Sequence, residues 1–391
     1  MLIVGAGIIG LAHAAEAVRR GLTVTVIDRD SRAVGASVRN FGHCCVTAQS
    51  GELLDLAMVA RERWLHYSDI TGFFSTSAGA LAVARSGEEL AVLDELSGQR
   101  ESGQVQLLAA SEVNERLSAD TESVVGGALL RDDLRVDPRE AVGRLAAWLE
   151  AQPGVRFFWR TSYLGADGSS AATSRGVIRA QRTVVCVGHD LDYLFPDLGE
   201  EHEVRRCGLQ MARVEAPRGI RIGPAVLTGT SMLRYPAFTE TEASAALRSR
   251  ITADDPELID IDANVMFTQR PDGSLLVGDS HRYDATMDPF QRESTSALLL
   301  DRVAQVLGVE SLRVVERWQG VYAWSPQHPY LVAEPMPDVC VVSVTSGVGM
   351  TISFGLASAV FDRLGWGNRR RRDRRFPLSF RSPNRSQCVI G

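Results

Sequence analysis

Three glycines and one acid near the start of the chain have the types and spacing to hold a nucleotide. Gly5-Ala6-Gly7-Ile8-Ile9-Gly10 lies between a short apolar run, Leu2 to Val4, and an alanine-rich stretch from Gly10 to Arg20 that Gly21 stops. Between a strand and a helix, the first glycine makes the turn and the second admits a pyrophosphate against the backbone. The third lets the helix lie close on the strand. Free N–H groups and the positive end of the helix dipole then face the pyrophosphate. Thr23 to Ile27 is β-branched and reads as the next strand. It ends at Asp28, 18 residues after Gly10, where a ribose 2′-hydroxyl needs an acceptor. An acid there disfavours a 2′-phosphate, so NADP is not expected.

The choice between FAD and NAD turns on two later segments. Gly35-Ala36-Ser37-Val38-Arg39-Asn40-Phe41-Gly42-His43 is a polar, glycine-flanked loop after the nucleotide unit. Thr345-Ser346-Gly347-Val348-Gly349-Met350-Thr351 is a glycine-rich strand-to-helix turn that aims a second set of N–H groups at a ligand. A flavin needs such a second turn, because reduction places negative charge at its N1–C2=O edge. FAD is therefore the expected cofactor.

The elements that must carry these residues alternate. Asp137 is a plausible N-cap with Pro138 at the first helical position, opening a helix to about Gln152. Val155 to Trp159 and Thr183 to Val187 read as strands, the latter ending in Gly188; the pattern is parallel β/α. The middle differs. Gly208 to Glu215, Ser231 to Phe238 and Val265 to Asp279 alternate polar and apolar residues, with the turn Arg270-Pro271-Asp272-Gly273 and a helix over about 291–307. After Asp338 a strand (Val339 to Val344) and a helix (Thr351 to Leu364) restore the first pattern. The expected class is α/β, α+β overall. A discontinuous Rossmann-type FAD-binding domain (1–75, 136–200, 325–367) holds an inserted antiparallel-sheet substrate domain (76–135, 201–324). An arginine-rich, disordered tail is expected over 368–391.

Composition sets the outer limits. At 391 residues, 45% hydrophobic and 23% charged, the chain fits a two-domain globular enzyme. Its net charge is −6; from Gly367 onward eight arginines and one aspartate contribute +7, so the body carries −6 − 7 = −13. An acidic body argues against nucleic acid, and the tail segment NRRRRDRR lacks the interleaved aromatics of an RNA contact. There is no lysine, hence no Schiff-base or lysine general-base chemistry. Cys44, Cys45, Cys186, Cys207, Cys340 and Cys388 show no C-x-x-C spacing and read as buried small hydrophobes, with no metal expected. The apolar start lacks a basic n-region, and no stretch is long enough to span a membrane, so a soluble, cytoplasmic protein is expected.

The chain resembles the D-amino-acid oxidase superfamily, which includes glycine oxidase and sarcosine oxidase. The likeness covers the fingerprint, the loop around Ser37, the Asp137-Pro138 helix and Val185-Cys186-Val187-Gly188. It continues through Pro271 to Gly278, Trp318-Gln319-Gly320 and the Gly347 turn. Arg39-Asn40-Phe41-Gly42-His43 and Gly278-Asp279-Ser280-His281 look like a subgroup associated with aminophosphonate catabolism. The resemblance implies hydride transfer from the amine-bearing carbon of a small amine to flavin N5, hydrolysis of the imine, and reoxidation by O2 or another acceptor. It places Gly5, Ala6, Gly7, Ile8, Ile9, Gly10, Asp28 and Arg29 at the adenosine diphosphate. Ser37, Arg39, Asn40 and Gly188 fall along the cofactor, and Gly347, Val348, Gly349, Met350 and Thr351 at the C2=O edge. Two departures matter. The lysine that activates oxygen in sarcosine-type enzymes is absent, and Tyr322 stands where glycine oxidase-like members carry a carboxylate-binding arginine. His43, His281 and Tyr322 are the expected catalytic groups; Gln210, Arg234, Tyr235, Arg282, Tyr283 and Trp318 are the expected substrate contacts. A covalent flavin link through His43 or Cys44 stays open.

Overall fold

The computed structural model describes residues 1–366 apart from 120 and 218; the arginine-rich tail expected over 368–391 and Cys388 lie outside the described residues. Six strands form the sheet that carries the nucleotide motif. In spatial order they are Tyr330–Met336, Val339–Val344, Thr183–Val185, Leu2–Val4, Val24–Asp28 and Val155–Trp159. All neighbours are parallel except the first pair. Both faces are covered, as parallel sheets require. Ile3, Val24, Val26, Val184 and Val342 face helices Ile8–Arg19, Gly51–Thr71, Pro138–Glu150 and Gly349–Arg363. Leu2, Val4, Ile27, Val185 and Val341 face the other way, onto Leu191 and a small sheet of strands Tyr163–Asp167, Ser170–Thr173 and Gly176–Arg179. Asp137 caps its helix as expected, accepting from Arg139 N at 3.0 Å.

The second sheet has eight strands. Its spatial order is Val314–Trp324, Arg205–Val214, Leu275–Asp284, Met266–Gln269, Ala225–Leu227, Ala80–Ala84, Gly126–Leu130 and Val105–Ala109. Every pair is antiparallel except Ala225–Leu227 with Ala80–Ala84. One face buries Leu81, Val83, Phe267, Leu275 and Val277 under helix Glu293–Val306. The other, with Ala80, Ala82, Leu209, Met211 and Leu276, packs on Phe41 and Cys45 of the loop after the nucleotide unit. This second interface positions the site.

One expected strand is not there. Ser231 to Phe238 holds two short helical turns, Gly229–Met232 and Pro236–Thr239, linked by Leu233, Arg234 and Tyr235. Pro236 starts the second turn, where its missing N–H costs nothing, and Ser231 N bonds Thr228 O instead of a neighbouring strand.

Candidate active site

A cavity of about 420 Å³ runs from the carboxyl edge of the parallel sheet to the inner face of the eight-stranded sheet. Its nucleotide end is built by the glycine turn. Gly5 has φ +98°, closed to most side chains, and a Cβ on Gly10 would collide with the Gly5 carbonyl oxygen. Asp28 closes the loop: Oδ2 accepts from Ala6 N at 2.7 Å and Oδ1 from Asp30 N at 2.9 Å. Burial raises the Asp28 pKa above its usual value despite those two N–H groups. Ser37 Oγ accepts from Ile8 N at 2.9 Å, tying the polar loop to the helix start. Asn40 folds that loop on itself, donating to Ala36 O at 2.9 Å and accepting from Gly42 N at 2.8 Å. Arg29 pairs with Asp190 at 2.6 Å beside Gly188.

The second glycine turn, around Gly347, is pinned from below. Cys45 N donates to Thr351 Oγ1 at 3.0 Å, and Trp64 Nε1 donates to Met350 O at 2.8 Å. The Tyr322 ring lies against Gly347, at 3.1 Å from the position its Cβ would take. His43 lines the cavity with Nε2 held by Asp133 Oδ2 at 2.7 Å, while Asp133 Oδ1 accepts from Thr47 N; His43 Nδ1 is buried with no hydrogen-bond partner. His43, Cys45 and Asp133 bring possible ligand atoms within 4.8 Å of one another. Burial, with the charge of Asp133, pushes the Cys45 thiol well up, which opposes the thiolate a metal would need.

Above the turn lies a half-buried cation. Arg234 Nη2 donates to Tyr322 Oη at 2.8 Å, and Nη1 lies 3.4 Å from Asp262. Burial works against its charge, but Tyr322, Tyr283 and Asp279 around it hold its pKa above the ordinary value. Burial drives the Tyr322 pKa well up, so it remains a phenol. Asp279 also lines the cavity; burial raises its pKa to about 7. His281 Nδ1 donates to Asp262 O at 2.7 Å, and burial followed by the Arg234 charge keeps the ring neutral.

The expected residues therefore divide. His43, Arg234, Tyr235, His281 and Tyr322 converge on the cavity with Gly5, Gly7, Ile8, Ile9, Asp28, Arg29, Ser37, Arg39, Asn40, Gly188 and the Gly347 to Thr351 turn. Ala6 and Gly10 act from behind the wall, by a hydrogen bond and by close packing. Three of the expected substrate contacts lie outside the cavity lining. Gln210 points to the opposite face of its strand, against Ser296 of helix Glu293–Val306, because Leu209 takes the cavity side. Arg282 faces outward, 58% exposed, between Asp284 and Asp288. Trp318 stacks under Arg139 at 4.8 Å and donates to Arg39 O at 3.2 Å, bracing the loop outside the cavity. Tyr283 stands in an adjoining recess of about 390 Å³ that shares Arg234 and Tyr235 with the main cavity. There its hydroxyl donates to Asp262 at 2.6 Å.

Asp279 was not among the expected site residues. Leu209 pairs with His281 while Met211 pairs with Gly278, so two steps on one strand meet three on the other. This bulge shifts the alternation and brings Asp279 and His281 to the side already occupied by Leu276. Strict period-two counting places Asp279 on the wrong face.

The cavity fits FAD: two glycine turns line it, and Asp28 and Ser37 add polar groups beside the first.

A family model for FAD dependent oxidoreductases (DAO) matches residues 1–363. No curated protein matches the sequence. Among solved structures, L-proline dehydrogenase from P. horikoshii superposes with a TM-score of 0.76 at 18% identity, over 93% of this chain and 92% of its own. Glycine oxidase from Geobacillus kaustophilus gives 0.74 at 20% identity, over 94% and 98%. Iminodiacetate oxidase from Chelativorans sp. BNC1 gives 0.72 at 19%, over 94% and 95%. At these identities the likeness is one of fold.

Proposed function

The chain belongs to the FAD-dependent oxidoreductase (DAO) family, and from that premise we propose that it oxidises a small amine bearing an anionic group, an aminophosphonate in particular. The observation that carries this reading is the Arg234–Tyr322 pair, half-buried over the Gly347 turn, with the Asp279 carboxyl in the same cavity. One fixed cation and one buried acid suit a substrate with an anion at one end and an amine at the other.

FAD, when bound, supplies the acceptor for a hydride from the amine-bearing carbon. Gly5 to Gly10, Asp28 and Ser37 would hold its nucleotide half, and Gly347 to Thr351 the ring edge that gains charge. The residues of this chain orient the substrate. Arg234 grips the anion, and the Tyr322 and Tyr235 hydroxyls approach it from other directions. A planar carboxylate is best met by a bidentate arginine fork, but one nitrogen of Arg234 is already engaged by Tyr322. A tetrahedral phosphonate suits donors converging from several sides. Carboxylate substrates of the glycine and sarcosine type are the second reading, with Arg234 alone as clamp.

The test is anaerobic reduction of the holoenzyme by a panel of amines at equal concentration. Aminophosphonates are expected to bleach the flavin faster than glycine, sarcosine or D-alanine. Faster bleaching by the simple amino acids would replace the phosphonate reading with the second one. Repeating the reoxidation with and without O2 separates an oxidase from a dehydrogenase that needs another acceptor.

A further inference from the structure

We propose that Asp279 is the group that takes the proton from the substrate's ammonium before its carbon is oxidised, with His281 and Asn264 positioning it; this rests on the amine-oxidation reading above. Asp279 is 3% exposed yet lines the cavity that holds Arg234. Asn264 Nδ2 donates to Asp279 Oδ1 at 3.1 Å, and Ser231 donates to Asn264 Oδ1 at 2.7 Å, which fixes the amide with its NH2 toward the acid. Asp279 Oδ2 faces His281 Nε2 at 3.7 Å, beyond hydrogen-bond reach. With His281 Nδ1 donating to a carbonyl, Nε2 of the neutral ring carries a lone pair. Two proton acceptors thus face each other across a gap inside the cavity. That arrangement suits an N–H donor.

The charged and titratable groups around Asp279 come from every neighbouring element. They are Arg234 and Tyr235 between the helical turns, Asp262 and Asn264 before strand Met266–Gln269, Cys207 on strand Arg205–Val214, and His281 on its own strand. Arg234 is their only cation, and it is the group assigned to the substrate anion. Burial favours the protonated acid, which makes Asp279 a better acceptor than a solvated carboxylate. In the step, the N–H bond of the ammonium breaks and an O–H bond forms on Asp279. The nitrogen keeps the electron pair, which then assists departure of the hydride with both electrons of its C–H bond. An ammonium has no such pair.

The experiment uses the FAD-bound protein and amines that cannot be oxidised, because their amine-bearing carbon has no hydrogen. The probes are (2-aminopropan-2-yl)phosphonate and 2-aminoisobutyrate, each with its analogue lacking the amine. At pH 8.5, where Asp279 is ionised, binding of an amine probe should raise a carboxylic-acid C=O band in the infrared difference spectrum. The analogue without the amine should raise none, and D279N should lose the band. Affinity for the amine probe should fall about tenfold per unit as pH drops below about 7, with no such fall for the analogue. D279N should bind amine and analogue within threefold of each other. An amine probe that binds wild type without the acid band overturns the assignment while leaving amine oxidation standing, and that reading needs no variant. If neither amine probe binds, the assignment falls together with the amine reading.

Discussion

The Asp28 carboxylate, which we propose faces the cofactor's ribose, already holds two backbone N–H groups, one on each oxygen. Each oxygen keeps a second lone pair, so the same acid can shape the loop and accept a ribose hydroxyl. Asp28→Ala should therefore weaken FAD binding by about 1–3 kcal/mol, read by flavin-release titration. Asp28→Asn should be nearly as costly, because its NH2 would meet an N–H donor where an acceptor is needed. An Asn variant that holds FAD like wild type would remove Asp28 from the ribose. At the substrate end the two arginines expected to act together have different fates. Arg234→Ala should raise KM at least tenfold, about 1.4 kcal/mol or more, with a smaller change in kcat. Arg282→Ala should leave both constants within twofold, since its side chain lies 58% exposed on the outer side of the strand. Equal effects from the two variants would mean the anion sits elsewhere.

At the scale of elements, the nucleotide turn was legible because its glycines each answer a separate steric demand and a strand ends in an acid at the right distance. The Asp137-Pro138 helix start and the Arg270 to Gly273 turn were legible for the same reason: local chemistry decides them. What escaped was decided by pairing. The bulge opposite Gln210 sets which residues of Leu275–Asp284 face the cavity, and it depends on the register of two strands some seventy residues apart. Strand Ala80–Ala84 also carried no alternating signal, because it is buried on both faces. Helix packing behind the site is equally non-local. In helix Gly349–Arg363, Gly355 lies so close to helix Gly51–Thr71 that a Cβ there would collide with the Leu56 carbonyl oxygen. That neighbour is backbone and cannot turn aside. Gly355→Ala should gain a little helix propensity, about 0.8–1 kcal/mol, and lose more to overpacking, on the order of 1–3 kcal/mol. A lower thermal midpoint with reduced FAD retention is the expected result; a higher midpoint would show that the two helices can part without cost.

Over the whole molecule, the cofactor sheet is closed on both faces, and its helical side holds a histidine that water cannot reach. His13 is 0% exposed in helix Ile8–Arg19, its ring 6.2 Å from that of Phe361, with Nδ1 donating to Ile9 O at 2.7 Å and Nε2 buried without a partner. Burial lowers its pKa to about 4, against the support of the Ile9 carbonyl and Glu16. In the unfolded chain the ring titrates near 6.5. Between pH 6.5 and 4 the unfolded state thus binds a proton that the native state refuses, and stability falls with pH through that window; above about 7 both states hold a neutral ring and the term vanishes. The penalty at pH 5 is about 2 kcal/mol for this one group. His13→Leu keeps an apolar side chain of similar reach beside Phe361 and removes the titration. Urea unfolding of both proteins at pH 7.5 and pH 5 isolates the effect, since every other carboxyl and imidazole is common to the pair. The variant should lose less stability than wild type between the two pH values, by about 2 kcal/mol, whatever its standing at pH 7.5. Parallel losses in the two proteins would mean that the helix opens enough at pH 5 for His13 to be protonated in place, and the packing of the first helix against Phe361 would then be looser than its burial indicates.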